Sequence, residues 1–152
     1  MQSDYVRTQA FCLQKKRMGQ QSAHLDLFCP DLGKIRFYQK GFYQPKSLYP
    51  AQFDLGHELD LLLVRQDNTW KIQEAGVKKI HSLESYESLT LASFILELLL
   101  KMETDYADHA QSLFLMLQKI FTDLSSAQTS FNTLLYFQYQ LLVKAGLASN
   151  EI

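Results

Sequence analysis

The residues best suited to chemistry are alternating cations and rings. Lys34, Arg36, Tyr38 and Lys40 recur at every second position, and Phe42, Tyr43 and Lys46 follow in the next segment. In an extended chain alternate side chains point to the same side, so the first four line one face of a strand. Ammonium and guanidinium groups neutralise phosphates, and aromatic rings stack on unpaired bases at roughly 1 to 3 kcal/mol per base. Lys15, Lys16 and Arg17 add a second basic group in an earlier turn. Together these residues describe a surface for nucleic acid. They equally describe a solvated strand face with amphipathic tyrosines, and the residues alone leave both readings open.

Other reactive side chains suggest less. His57-Glu58 lacks the second histidine of a zinc-protease helix and sits in a strand pattern. Gly33-Lys34 lacks the glycine-rich run of a phosphate loop. Asp105, Asp108 and His109 can converge on one helical face, but acidic residues at a helix start are accounted for by capping and the helix dipole. Cys12 and Cys29 show no metal-ligand spacing and read as small buried hydrophobes on strands. His24 and His81 have no partner that spacing identifies. No serine, cysteine or threonine has a recognisable base and orienting group beside it. We therefore expect no enzyme, no cofactor and no metal.

The elements that would position the basic residues change character near His81. Five of the six glycines and all three prolines precede it. Before it, segments alternate in polarity: Tyr5 to Lys16, Ser22 to Cys29, Lys34 to Lys40, a strand in which Phe53, Leu55, His57, Leu59, Leu61 and Leu63 share a face, and Trp70 to about Lys79. In the second of these, Ala23, Leu25, Leu27 and Cys29 share one side, and His24, Asp26 and Phe28 the other. After His81 the period becomes helical. Glu84 to about Glu103 has a stripe of Leu91, Ile95, Leu98 and Met102. Tyr106 to Leu124 carries Leu113, Leu117, Ile120 and Leu124, with Asp105 as cap. Phe131 to about Ala145 carries Leu134, Leu135, Phe137, Tyr139 and Leu142 and stops at Gly146. The fold class expected is α+β: a five-stranded barrel of the oligonucleotide-binding (OB) type over residues 1–80, then a three-helix bundle over residues 81–152.

Composition bounds the remaining classes. With 47% hydrophobic and 20% charged residues, the chain of 152 residues lies in the globular range. At this length roughly 68 to 70% of the unfolded surface is buried on folding, enough for a core without staples. Two cysteines are too few for a disulfide framework. The longest apolar stretch, Leu89 to Leu100, is interrupted by Thr90, Ser93 and Glu97 and falls short of the roughly 20 residues of a membrane span. Met1 to Arg7 carries no signal-peptide pattern. A soluble, cytoplasmic monomer is expected. The net charge of −1 seems to exclude nucleic acid until the chain is divided. Residues 1–80 hold 12 Lys and Arg against 8 Asp and Glu, a charge of +4, whereas residues 81–152 hold 3 against 8, a charge of −5.

Several segments resemble the RecO family of bacterial recombination and repair mediators. Thr8-Gln9-Ala10-Phe11-Cys12-Leu13, His24-Leu25-Asp26-Leu27-Phe28-Cys29, Gly33-Lys34-Ile35-Arg36, Lys40-Gly41 up to Ser47, and Gln52-Phe53 are similar in order and spacing to that family's N-terminal OB domain. Leu91-Ala92-Ser93-Phe94-Ile95-Leu96-Glu97-Leu98 is similar to its first bundle helix. Phe137-Gln138-Tyr139-Gln140-Leu141-Leu142 to Gly146-Leu147 resembles the helix before its zinc-binding segment. The resemblance implies a protein that binds single- and double-stranded DNA and anneals strands. It also implies engagement of the single-strand-binding protein through that protein's acidic-hydrophobic C-terminal tail, and action with RecR to help load RecA. DNA would then meet Lys15, Lys16, Arg17, Lys34, Arg36, Lys40 and Lys46, with Tyr38 and Tyr43 as stacking rings. An adaptor that binds partner proteins and little DNA is the alternative. Two departures from the family stand out. Phe42, Tyr43 and Gln44 occupy positions that are usually small or basic, and the sequence ends at Ile152, before the C-terminal region that often carries zinc. A truncated or a short, metal-free member is expected.

Overall fold

A computed structural model of the chain describes residues 4–102, 107–126 and 131–144. The strands are β1 (Asp4–Met18), β2 (Ser22–Cys29), β3 (Gly33–Gln39), β4 (His57–Gln66) and β5 (Thr69–Ile80). The helices among the described residues are the single turn α1 (Tyr49–Gln52), then α2 (Tyr86–Lys101), α3 (Ala110–Ser125) and α4 (Phe131–Lys144), with a 3₁₀ turn at Ala107–His109. The class is α+β, as expected. The strands form one antiparallel sheet in the order β3-β2-β1-β4-β5.

Turn chemistry sets the hairpins. Asp67 and Asn68 adopt φ of 52° and 63°, the pair of positive angles that a two-residue loop needs to match the twist of its strands. Gly33, at φ +71°, ends the Pro30–Leu32 turn. β1 serves two neighbours: Asp4 to Phe11 pairs with β4, and Phe11 to Met18 with β2. Between Cys12 and Gln14 the β1–β2 register shifts by one residue at Leu13, a bulge that places Phe11, Leu13, Gln14 and Lys16 on the same side. The two outer strands meet through a side chain, since the buried Gln39 amide oxygen on β3 accepts the Ile72 N–H of β5 at 2.9 Å.

Two apolar clusters lie on opposite sides of β1, β2 and β3. The inner one gathers Leu25, Leu27, Phe37, Leu59, Leu61 and Leu63, with Phe42 and Phe53 closing its end. The outer one joins Phe11, Leu13 and Phe28 of the sheet to the buried faces of α2, α3 and α4. The Phe11 ring lies 5.2 Å from that of Phe114 and 5.1 Å from that of Phe121. Each fully buried Phe contributes roughly 1.5 to 3 kcal/mol relative to exposure.

Several expected boundaries shift. Phe53 and Leu55 precede β4 instead of belonging to it: Pro50 opens the helical turn α1, and Phe53 is buried just after it. α2 begins at Tyr86 because Ser85 accepts the Ser88 N–H as its cap. Its buried side runs through Ser88, Ala92, Ile95, Leu96 and Leu99, rotated from the expected stripe, with Leu91, Leu98 and Met102 only partly covered. α3 begins at Ala110, after the 3₁₀ turn, with no side-chain cap at its start; Asp105 lies outside the described residues. Leu113, Leu117, Ile120 and Leu124 are buried as anticipated. On α4 the core residues are Phe137 and Leu141, and Leu135 is exposed. The Leu134 and Leu142 side chains and Gly146 lie outside the described residues. No helix among the described residues is long and apolar enough to cross a membrane.

Candidate nucleic-acid interface

The helices cover only part of the outer face of β1–β3. Cross-strand register defines three rows on that face: Phe11–Phe28–Lys34 beneath the helices, then Gln14–Asp26–Arg36, then Lys16–His24–Tyr38. The last two rows stay open. Tyr38 is 50% exposed, and its ring meets that of His24 edge-on at 5.5 Å. The Arg36 side chain is 67% exposed, yet its Nε donates to Asp26 Oδ1 at 2.6 Å, and the Asp26 side chain is only 6% exposed. A pocket of about 310 Å³ is lined by Gln14, Lys16, Met18, His24, Asp26 and Arg36. Cations, edge-on rings and one sunken acid therefore converge here, an arrangement suited to a flexible strand whose bases are unpaired.

The nine sequence-predicted residues divide among three environments. Lys16, Arg36 and Tyr38 share the open outer face, and Lys40 is exposed just beyond the end of β3. Lys15, adjacent to Lys16, points to the inner side, where its Nζ donates to the Pro50 carbonyl at 2.6 Å. Arg17 shares that parity; its guanidinium lies 4.1 Å from the centre of the Tyr43 ring and donates to the Gln20 carbonyl at 2.9 Å. Tyr43 is half-buried, with one ring face covered by Arg17, and Lys46 is exposed in the loop beyond it. Lys34 sits apart from all of these. Its ammonium donates to the carbonyls of Leu99 and Leu100 at 3.1 Å each, and also to that of Met102, at the C-terminus of α2. Those carbonyls have no partner within the helix, and the helix dipole favours a cation beside them.

Residues 83–150 match the family model described as Recombination protein O C terminal. Over 149 residues, 95% of the chain, the sequence is 28% identical to the DNA repair protein RecO of Chloroherpeton thalassium. The chain is similar to RecO proteins. It spans 57% of the length of that RecO protein. The region matched by the RecO family model contains α2, α3 and α4, and the pairwise likeness extends across the sheet as well.

Sequence reasoning missed three members of the site. His24, Gln14 and Asp26 lie on it through cross-strand pairing, His24 with Lys16 and Tyr38, Asp26 with Gln14 and Arg36, which no spacing within one strand reveals. Only the alternation of His24 and Asp26 along β2 hinted that they share a side. His81 likewise finds its partner in space. Its Nε2 donates to Glu58 Oε1 at 2.8 Å, while the half-buried Gln118 of α3 donates to Glu58 Oε2 at 3.1 Å, and the His81 ring itself is buried beside Phe11 and Phe121. Gly56 makes this possible: at φ +87° its carbonyl accepts the His81 N–H, and a Cβ there would lie 2.7 Å from the His81 oxygen. Burial pushes the Cys12 and Cys29 thiols up to about 12, which keeps them protonated and poor nucleophiles. A second concavity of about 610 Å³ lies between α3 and strands β1, β4 and β5; its lining includes Arg7, Asp60, Lys78, Phe114 and Leu115.

Proposed function

We propose that the chain is the strand-holding part of a RecO-type DNA repair and recombination protein, binding single-stranded DNA on the outer face of β1–β3. The observation that carries this reading is the open Lys16–His24–Tyr38 row beside Arg36. The strand order and the Gln39–Ile72 closure support reading residues 1–80 as an OB barrel, with residues 81–152 as its helical partner domain. Phosphates meet Lys16, Arg36, Lys40 and, toward the loop, Lys46; Tyr38 and the open side of Tyr43 stack on bases. The work is to hold and anneal strands in the cytoplasm, not to turn over a substrate. Fluorescence anisotropy with labelled single-stranded DNA tests it. Neutralising about four phosphates gives a slope of log affinity against log salt near −3, and Lys16→Ala with Lys40→Ala flattens it. Absence of binding at low salt overturns the reading.

We propose a separate place on this surface for a protein partner. Leu115, 65% exposed over the buried Phe114, gives the second concavity an apolar wall, and Lys78 gives it a cation beside an Arg7 that Asp60 and Glu74 already hold at 3.5 and 3.3 Å. That combination suits an acidic-hydrophobic peptide, and we assign to it the C-terminal tail of single-strand-binding protein; RecR, and through it RecA loading, belongs to the same proposal. Pull-down with the intact and the tail-less partner distinguishes the cases. Capture should need the tail and weaken severalfold with Leu115→Glu, whereas equal capture of both forms removes the assignment.

A further inference from the structure

Asp26 is out of place on a phosphate-binding face, because a carboxylate repels phosphate oxygens. Its burial is also unusual, since acids are seldom taken out of water unless each oxygen has a donor. Here Arg36 supplies the donor to one oxygen, and the other keeps contact with solvent. Arg36 Nε holds Oδ1 at 2.6 Å and fixes the plane of the carboxylate, but among the described residues no other hydrogen bond reaches this side chain. The carboxylate lines the pocket of about 310 Å³, with Gln14 directly across on β1 and the His24 ring beside it. What enters must bring a donor.

We propose that Asp26 is a base-selecting residue, whose carboxylate accepts a hydrogen bond from the exocyclic amino group of an unpaired base and favours cytosine over thymine. The proposal rests on the single-strand reading above. Cytosine N4 carries the donor that an aspartate recognises, whereas thymine presents the O4 acceptor at the same position. An acceptor facing Asp26 meets repulsion and leaves the sunken acid without its partner, which makes the penalty larger than one lost contact. The Gln14 amide, across the pocket, can donate to cytosine N3 in the same plane. The His24 and Tyr38 rings supply the stacking surface, and Lys16 and the outer end of Arg36 lie where the adjoining phosphates would pass.

The test compares oligo-dC, oligo-dT and oligo-dU of equal length on the unaltered protein at neutral pH. Deoxyuridine lacks both the amino group and the thymine methyl, so it separates the two. We expect oligo-dC to bind roughly tenfold more tightly than either, the ratio that one charge-assisted hydrogen bond supplies, with oligo-dU and oligo-dT alike. Asp26→Asn, whose amide presents either a donor or an acceptor, should bring the ratio close to one. Salt-sensitive binding with equal affinity for dC and dU overturns the role of Asp26 and leaves the DNA reading standing. Absence of binding to all three overturns the DNA reading and this inference with it.

Discussion

Lys34 and Arg36 stand two residues apart on β3 and point to the same side of the sheet, yet they do opposite things. Lys34 lies in the row that the helices cover, and its three donors meet the carbonyls that end α2. Arg36 lies one row further along, where the cover has ended, and is held from one side by a single sunken acid while its outer end faces solvent. The charge and the parity are the same. The difference comes from what the rest of the chain lays over each row, so a basic stripe on a strand describes potential, and the covering element decides between cap and ligand site.

The most forceful way to break this comparison is to remove the buried member. Lys34→Met keeps the apolar stem and deletes the charged donor, leaving the final carbonyls of α2 without it. A hydrogen bond to a charged group is worth about 1.5 to 3 kcal/mol and a cation at a helix C-terminus adds a little more. We therefore expect a loss of about 2 kcal/mol in a urea titration, with a lower midpoint and an unchanged slope. DNA affinity of the folded variant, and its salt dependence, should stay as they were. A flatter salt dependence with undiminished stability would place Lys34 on the DNA after all and erase the distinction between the rows.

What the sequence made legible follows the same division. The alternation of β2 marked Ala23, Leu25, Leu27 and Cys29 as one buried side, because burial inside the sheet repeats with the strand's own period. It also grouped His24, Asp26 and Phe28, but it could not say that Phe28 lies under helices, that Asp26 is sunk against Arg36, or that His24 is half open. Those fates depend on where distant helices stop. The apolar spacing from Phe53 to Leu63 read as one strand because Phe53 and Leu55 keep a period of two while the backbone there is still leaving α1. In α2 the leucines are so dense that the periodicity defined a wide face without its centre, and contact with the sheet and α3 selected Ala92, Ile95 and Leu99. The bulge at Leu13 was invisible for a simpler reason, since its effect is on register between strands.

That bulge gives the finest test of the comparison, within a single dipeptide. Without it, the parity set by Phe11 would turn Lys15 outward and Lys16 inward. With it, Lys16 joins His24 and Tyr38 on the open face, and Lys15 turns in to the Pro50 carbonyl. Lys16→Ala should therefore reduce the magnitude of the salt slope for single-stranded DNA by about 0.7, the contribution of one phosphate contact, while stability changes by less than about 0.5 kcal/mol. Lys15→Ala should do the reverse, leaving the slope intact and lowering stability by about 1 kcal/mol through loss of one partly buried hydrogen bond. Two neighbouring lysines with exchanged phenotypes would tie DNA contact to the outer face of the sheet and not to the amount of charge. Equal effects of the two substitutions would mean that charge alone governs binding, and the face would lose its standing as a site.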